Sequence, residues 1–561
     1  MDIRRTLLWM IFSFSLLLLW NNWQEYNGKP SLFSSTSASE TTAQATTDGA
    51  PTANGSSDAS IPSAAPATAS TPAELPVSPA VTPSTELVQV ETNVYKLSFD
   101  PTGAQLVKAE LLKYGSPDAP DQPMVLLDNS ADSVYMVQSG IVGAPAGQSY
   151  PTHLTPYGLV SNTVDSANVR TLVFEAVSDG VRVVKTFTLG SDSYAIQVRH
   201  DVYNVGDVTI QPSVYLQLTR DGNNPPDSSR LYNTFTGPVV YSSEDKFQKI
   251  SFSDIDKNKA SYATQANNGW IGFVQHYFAT AWVPPADSVR TNQVLRVSDN
   301  LYAIRTIEAV GSIAPGASQS VIADLWVGPQ DQAAMGSLAE GLDLVVDYGW
   351  LTILAKPLYY LLALLHSFLG NWGWSIVALT VLIKLVFYPL SAASYRSMAK
   401  MKLVTPRLQA LRAKYGDDKA KLNAAMMEMY RTEKINPLGG CLPMLVQIPV
   451  FIALYWVLLG SVEMRGAPWI LWVQDLAARD PWFILPAVMM ATMFLQIKLN
   501  PTPPDPMQAR IMMIMPLVFG GMMFFFPAGL VLYWCVNNTL SIAQQRYIMH
   551  KLDKETAAAK R

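Results

Sequence analysis

Five apolar stretches between residues 373 and 547 constrain this 561-residue chain more than any other feature. They cover residues 374–390, 442–460, 482–497, 511–526 and 528–544. Each is close to the length that a helix needs to cross the roughly 30 Å hydrocarbon core of a bilayer. We therefore predict a five-helix membrane core over residues 373–547. Residues 1–24, where basic residues precede another apolar run, are predicted to be a sixth span, a signal anchor with a cytoplasmic N-terminus.

Lys384 lies inside the second predicted span, residues 374–390. An ammonium group near the middle of a bilayer costs roughly 2.5–3.5 kcal/mol on insertion scales, so such a residue indicates a functional site. Thr380 precedes it by one helical turn on the same face, and the pair predicts a wet, polar groove in the membrane domain. The alternative is that Lys384 extends to the cytoplasmic headgroups, about 12 Å away along the helix.

Two further features of the spans indicate surfaces for another molecule. Gln447 places an amide in the third span, where it either joins helices or lines the groove. The fifth span is rich in methionine and phenylalanine, whose adaptable side chains suit a surface that accepts many apolar helices. Packing against lipid is the alternative for this surface. The candidate residues for such a slide are Met512, Met513, Met515, Phe519 and Met522.

The N-terminal half of the chain has a different pattern. Residues 25–86 are dominated by Ser, Thr, Ala and Pro and are predicted to be a disordered tether. Residues 87–335 contain short β-type runs, for example 181–189, separated by turns, which is typical of an antiparallel sandwich. Residues 336–372 are predicted to contain an amphipathic helix at the outer membrane interface. With one span before it and a cytoplasmic N-terminus, the β domain is expected in the periplasm.

The segment between the second and third spans, residues 395–435, is strongly basic and has helical periodicity. Thr405 and Pro406 predict a helix start, and Lys419 begins a second helix after a turn, so we expect a cytoplasmic hairpin. A solvated, positive-inside loop and a docking arm for a nascent chain or ribosome explain the charge equally well. The basic tail, residues 548–561, places the C-terminus in the cytoplasm too. The docking candidates are Arg396, Lys400, Lys402, Arg407, Arg412 and Lys414.

Several classes of function are disfavoured by the composition. The formal net charge of −4 provides no basic field for direct DNA binding. The two cysteines and five histidines have no metal-ligand spacing, and phosphate-loop and nucleophile-elbow motifs are lacking. We therefore expect that the protein needs no cofactor or metal and is not an enzyme.

Motifs across five spans resemble those of the YidC membrane protein insertases of Gram-negative bacteria. The resemblance covers residues from about 340 to 547. It is carried by Asn371-Trp-Gly-Trp-Ser375, Tyr388-Pro-Leu390, Ser397-Met-Ala-Lys-Met401, Gly416-Asp-Asp-Lys419, Asn436-Pro-Leu-Gly-Gly-Cys441, Gln447-Ile-Pro449, Gly460-Ser-Val-Glu463, Asp505-Pro-Met507 and Phe526-Pro-Ala-Gly-Leu-Val-Leu-Tyr533.

The resemblance implies a membrane α-helical protein with six transmembrane helices, five of them forming the insertase core, and a periplasmic all-β supersandwich. It implies a hydrophilic groove, open to cytoplasm and lipid, whose charge is most often arginine in the family and maps to Lys384. It also adds Tyr533 and Trp534 to the groove, although Trp534 stands where many relatives have a second tyrosine. The implied partners are nascent inner-membrane proteins, the Sec translocon and the lipid bilayer, with the ribosome and the signal recognition particle pathway as further candidates.

Taken together, the residues and the resemblance predict an insertase and chaperone of the bacterial inner membrane. The groove would lower the desolvation cost of a client's polar tail while the client's apolar segment moves into lipid. Two alternatives stay open at this stage. One is a transporter or channel that uses Lys384, and the other is a membrane-anchored periplasmic carbohydrate-binding protein.

Overall fold

The structure is a computed structural model that describes residues 61–62, 86–117, 119, 121–225, 234–415, 418–432, 442–500 and 506–559. These residues fall into two compact units, with the division between Asp347 and Tyr348. The predicted signal anchor, residues 1–24, and all but three residues of the predicted tether, residues 25–86, lie outside the described residues.

The first unit is built from strands. In the described residues, β1–β18 are Val88–Glu91, Tyr95–Asp100, Gln105–Gly115, Pro123–Asn129, Val134–Val142, Gly158–Val164, Arg170–Ser178, Val181–Leu189, Ala195–Asn204, Ser213–Asp221, Gly237–Ser242, Lys246–Lys249, Gln265–Ala266, Trp270–Gln275, Phe278–Val283, Arg290–Ser298, Leu301–Ala309 and Ser318–Pro329. Two short helices accompany them, α1 (Phe252–Asp256) and α2 (Gln332–Leu338).

The strands form two antiparallel sheets. Sheet A has the order β1-β2-β3-β4-β5-β10-β17-β16-β13, and sheet B has the order β12-β11-β14-β15-β18-β9-β8-β7-β6. The rings of Tyr135 on sheet A and Phe273 on sheet B meet edge to face at 5.9 Å, so the two sheets pack face to face. The predicted antiparallel sandwich is therefore confirmed, and the run predicted at 181–189 is strand β8 itself.

A buried lysine lies between the two sheets. Lys185 lies on the same face of β8 as the buried residues Val183 and Phe187, which points toward the core, and its side chain is fully buried. Its ammonium Nζ donates to the carbonyl oxygens of Gly103 and Ser139 at 2.6 and 2.7 Å and lies 4.6 Å from the centre of the Tyr157 ring. Burial lowers the pKa of Lys185 to about 7, and burial together with the Lys185 charge lowers the pKa of His200 to about 3.

The Lys185→Met substitution is expected to remove a pH dependence of stability. Between pH 7 and 10.5 the unfolded lysine holds a proton that the folded lysine has lost, so stability rises with pH by up to about 1.4 kcal/mol per unit. Pulse proteolysis of the β domain in urea between pH 7 and 9 measures this slope. Lys113→Met, at a lysine with a half-exposed side chain, is the matched control and should keep the slope. An unchanged slope in Lys185→Met would contradict the assignment.

The second unit is helical. Its helices in the described residues, numbered α3–α10, are Thr352–Leu369, Trp372–Val386, Tyr388–Tyr415, Lys419–Thr432, Leu442–Gly460, Ile484–Leu499, Pro506–Met523 and Ala528–Ala559. Helix α7, at 442–460, has the predicted bounds, and α8 and α9 lie where spans were predicted. Helix α10 extends beyond the predicted end of its span at residue 544.

The second predicted span is not one straight helix. The predicted span 374–390 contains a break, because α4 ends at Val386 and the chain bends by 64° into α5. Pro389 explains the break, since a proline lacks the N–H that would bond to the carbonyl oxygen of Leu385 and its ring clashes with that carbonyl. Lys384 therefore lies in the last turn of α4, where the helix dipole favours a positive charge.

The cytoplasmic hairpin also differs from its prediction at one end. The predicted helix start at Thr405-Pro406 is wrong, because α5 runs through Pro406 without interruption. Val404 and Leu408, one turn apart on either side of the proline, are both buried, and this packing offsets the missing backbone hydrogen bond. The second helix begins at Lys419 as predicted.

The number of membrane spans stays a prediction. Among the described residues, α3 is long and apolar enough to cross a bilayer, and α4 with the first part of α5 qualifies as a bent pair. Shorter apolar segments lie at Val446–Gly460, Ile484–Leu499 and Ala509–Met523. Helix α3 falls in the region predicted to lie along the interface, although its length suits a crossing equally well.

Candidate functional site

The helical unit contains a cavity of about 320 Å³, called the groove cavity below. It is bounded by five helices, α4, α5, α7, α8 and α10. The lining residues are Lys384, Ser391, Ser394, Tyr395, Met398, Gln447, Ile448, Phe451, Gln496, Asn500, Tyr533, Trp534, Asn537, Asn538 and Ser541. Most of these side chains carry a polar group, which is unusual beside helices as apolar as α4, α7 and α8.

Lys384 provides the positive charge of the groove cavity. Its side chain is buried, and Nζ donates a hydrogen bond to Ser541 Oγ at 2.8 Å. Ser541 Oγ in turn donates to the Asn537 carbonyl oxygen at 2.7 Å, so the hydroxyl is held with its lone pairs toward the lysine. An ammonium has three N–H donors, and the bond to Ser541 uses one of them. The charge is thus fixed at the wall of the cavity.

Polar contacts between helices hold the rest of this wall. Gln447 Nε2 on α7 donates to Asn537 Oδ1 on α10 at 2.8 Å. Tyr395 on α5 donates its hydroxyl to the carbonyl oxygen of Ser541 at 3.3 Å. These bonds hold α10 in a fixed position against α5 and α7, beside Lys384.

Aromatic rings form another part of the wall. Trp534 makes edge-to-face contacts with Phe451 at 4.5 Å and with Phe519 at 5.0 Å, and Phe451 also stacks on Tyr533 at 5.9 Å. The indole Nε1 of Trp534 is buried without a hydrogen-bond partner among the described residues. The groove cavity therefore combines one charge, several amides and hydroxyls, and an aromatic surface.

Thr380 is not among the lining residues of the groove cavity. It lies one turn before Lys384, as predicted, but its side chain is 1% exposed and its hydroxyl donates to the Ile376 carbonyl oxygen at 2.7 Å. This local bond satisfies a buried hydroxyl within its own helix. Lys384, Gln447, Tyr533 and Trp534 thus line the same cavity, whereas Thr380 is buried outside its lining.

The methionine-rich helix α9 exposes apolar side chains. Met513, Met515 and Met522 are 61%, 49% and 44% exposed, whereas Met512 is half-buried. Phe519 is half-buried too and connects this surface to the aromatic wall through Trp534. Exposed methionines on a helix of this kind are suited to contact with lipid or with another apolar helix.

The basic residues of the hairpin project from α5. Arg396, Lys400, Arg407 and Lys414 are exposed, and the Lys414 ammonium lies 5.2 Å from the ring centre of Tyr415. Lys402 and Arg412 lie on the same helix.

Sequence reasoning missed several residues of the site. Ser391, Ser394 and Tyr395 follow the bend at a spacing of about one helical turn and line the groove cavity. Their pattern, small or polar residues on one helix face after a proline, could have indicated a groove-lining face. The signal from Ser541, Gln496 and Asn500 was weaker, because a single polar residue in an apolar segment forms a hydrogen bond between helices as often as it lines a groove.

One end of the bundle is closed by the loop between α7 and α8, residues 461–483. Asn371 donates to the carbonyl oxygens of Pro468 and Trp469, and the amides of Ala528 and Gly529 donate to Ala478 and Leu476. This end contains the start of α4, whereas Lys384 lies twelve residues further along, about 18 Å away. Lys384 is therefore remote from the closed end.

Comparison with known proteins agrees with this architecture. Residues 87–361 match the family described as the YidC periplasmic domain, and residues 364–555 match the family described as the 60Kd inner membrane protein. A solved structure described as an active YidC insertase with its first transmembrane domain resolved is similar at a TM-score of 0.39 and 18% identity, over 82% of this chain and 93% of that chain.

Relatives named membrane protein insertase YidC are similar over the whole chain. That of Bordetella pertussis is 66% identical over 566 residues, and that of Ralstonia nicotianae is 50% identical over 566 residues, with 100% of both chains covered in each case. That of Paraburkholderia xenovorans is 48% identical over 564 residues, again with 100% of both chains covered. Since full-length relatives and both family profiles agree, the chain belongs to the YidC family of membrane protein insertases.

Proposed function

We propose that this chain inserts proteins into the bacterial inner membrane and that the groove cavity receives the polar segment of the client that must cross. The observation that carries the proposal is the fixed Lys384 ammonium on a polar wall inside an apolar helical unit. The names of the full-length relatives support the activity, and insertion is not the chemical conversion of a substrate. The clients are accordingly nascent membrane proteins.

The groove cavity would act by lowering a desolvation cost. A polar or acidic tail loses its hydration when it enters hydrocarbon, which costs several kcal/mol for a charged group. The amides and hydroxyls around Asn537 and Ser541 offer hydrogen bonds in exchange, and the Lys384 charge attracts acidic side chains. No bond is made or broken, and the burial of the client's apolar segment in lipid drives the step.

The apolar part of the client is proposed to move along α9. Its exposed methionines lie on the helix that contacts the aromatic wall through Phe519 and Trp534. A client segment leaving the groove cavity would therefore meet flexible apolar side chains before lipid. The candidate slide residues remain Met512, Met513, Met515, Phe519 and Met522.

The family places the protein in the inner membrane with a periplasmic β domain. The excess of Lys and Arg at 395–435 and in the tail 548–561 supports cytoplasmic termini and six spans. The exposed basic residues of α5 support a docking role for the hairpin, with the ribosome, the signal recognition particle pathway and the Sec translocon as proposed partners.

Photocrosslinking tests the path of the client. A benzoylphenylalanine at Met398, which lines the groove cavity, should crosslink to the tail of a short phage-coat-like client that is stalled during insertion. The same probe at Val386, which is 73% exposed and lies at the end of α4, is the matched control and should crosslink mainly to lipid. Equal crosslinking of the tail at both positions would contradict a route through the groove cavity.

A further inference from the structure

The outer face of sheet A, which points away from sheet B, is unusually polar and yet buried. Side chains alternate along β10, so that Leu216 and Leu218 point toward the core while Tyr215, Gln217 and Thr219 point outward. Ser139 on the neighbouring strand β5 pairs with Leu216, so the two side chains point to the same side of sheet A. The Ser139 hydroxyl contacts His200 of sheet B, and Leu216 therefore points toward sheet B as well. The outward side chains of β10 are nevertheless at most 4% exposed. Part of this face is covered by the segment before β6, whose His153 amide donates to the Tyr215 hydroxyl at 3.0 Å.

A row of hydrogen-bonded side chains crosses five neighbouring strands on this face. Gln138 donates to Gln105 at 2.7 Å, and Gln217 donates to Gln138 at 2.8 Å. Arg305 continues the row, donating through Nε to Gln293 at 2.9 Å and through Nη1 to Gln217 at 3.5 Å. Such a row places amide and guanidinium groups, which can bond to the amides of a peptide backbone, in one line across the strands.

An apolar patch adjoins the row, and part of the N-terminal segment lies on it. The patch consists of the buried residues Val142, Tyr215 and Ile307. Ile61, which belongs to the segment predicted to be a disordered tether, packs against these three side chains. Pro62 is buried as well. Two residues of the predicted tether are therefore packed on the folded domain.

The sequence singles out the same position. In residues 34–74, Ile61 is the only residue with an apolar side chain larger than alanine, apart from the prolines. Pro62 restricts Ile61 to extended backbone conformations, which lowers the entropy that docking costs. A single aliphatic anchor followed by proline, in an otherwise polar and small segment, is a simple form of docking motif.

We propose that the outer face of sheet A is a peptide-binding surface whose occupant is the chain's own segment around Ile61 and Pro62. Ile61 fills the apolar patch beside the glutamine and arginine row. Since 25 residues separate Pro62 from Val88, the first residue of β1, the segment has an effective concentration of about a millimolar at this face. The surface is thus filled in the intact protein, and a second peptide of the same chemistry binds after the segment leaves.

Thiol alkylation tests whether Ile61 is docked. In the full chain reconstituted in liposomes, Ile61→Cys should react with a maleimide about tenfold more slowly than Val208→Cys, at a side chain of the same domain that is 66% exposed. The unsubstituted chain measures the contribution of the two native cysteines. Both positions should react at the same rate in denaturant. Equal rates in the folded protein would overturn the proposal.

Peptide binding tests whether the face is a binding surface. A fluorescent peptide with the sequence of residues 56–66 should bind the full-length Ile61→Asp variant about tenfold more tightly than the unsubstituted chain, because the variant has lost its own occupant. The same peptide with aspartate in place of isoleucine is the control and should bind neither. Because Ile61 lies outside the sandwich, the variant is expected to fold. Failure of the first peptide to bind the variant would overturn the proposal.

Discussion

Replacing Lys384 with alanine is expected to lower the insertion of a short-tailed client about 30-fold or more. A hydrogen-bonded contact with a charged group is worth about 2 kcal/mol, and this energy corresponds to about 30-fold in rate. Lys384→Glu should be at least as defective, because it repels an acidic tail. Lys384→Arg should support insertion, because it keeps the charge although it changes the geometry of its hydrogen bonds. The measurement is protease accessibility of the client tail in cells depleted of their own insertase.

Lys498→Ala is the matched control for this series. Lys498 is an exposed lysine in the last turn of α8, in the same unit but outside the lining of the groove cavity. Its loss should leave insertion unchanged. If Lys384→Ala inserted the client as well as Lys498→Ala does, the lysine would merely extend to the headgroups, and the polar wall would have to act without it.

The sequence was most informative where periodicity and composition agreed. The alternation at 181–189 predicted strand β8, and the apolar run at 442–460 predicted helix α7 with the observed bounds. Strand β8 has one fully buried face and α7 is apolar along most of its length, so in both segments the pattern of apolar residues determines the structure. The family resemblance, stated from motifs in five spans, is confirmed by relatives that match over the whole chain.

Proline positions were the main source of error. Pro406 was interpreted as a helix start, yet it lies inside α5, whereas no break was predicted at Pro389, which lies just after the bend. Local preference cannot decide such cases, because the outcome depends on packing across the bend that a single sequence does not show. Thr380 is a similar case, since helical spacing predicted its face correctly but not the local bond that satisfies its hydroxyl.

The charge of the groove cavity was visible in the sequence, but its surroundings were not. A lysine in an apolar run is conspicuous by itself. Ser541 and Tyr395, in contrast, become part of the site only because α10 and α5 bring them beside Lys384. These contacts join residues more than a hundred positions apart, and no local pattern encodes them.

Asp480 is a buried residue outside the groove cavity whose loss should strongly destabilise the helical unit. Its carboxylate is 2% exposed and accepts three hydrogen bonds, from Trp472 Nε1 at 3.0 Å, from the Trp482 amide at 3.0 Å and from the Leu485 amide at 2.7 Å. The last of these amides is in the first turn of α8, where a negative charge is also favoured by the helix dipole. The carboxylate thus joins the closing loop to the start of a core helix.

Asp480→Ala is expected to destabilise the helical unit by about 3 kcal/mol or more, because it leaves buried donors without a partner. Asp480→Asn should be intermediate, since its amide oxygen accepts from two of the donors while its NH₂ group faces the third. Asp475→Ala is the matched control, because Asp475 caps a half-exposed turn of the same loop and should cost about 1 kcal/mol or less. Thermal unfolding in detergent measures all three. If Asp480→Ala were as stable as Asp475→Ala, the closing loop would not depend on this carboxylate, and the closed end would have to be held by the bonds of Ala528 and Gly529 instead.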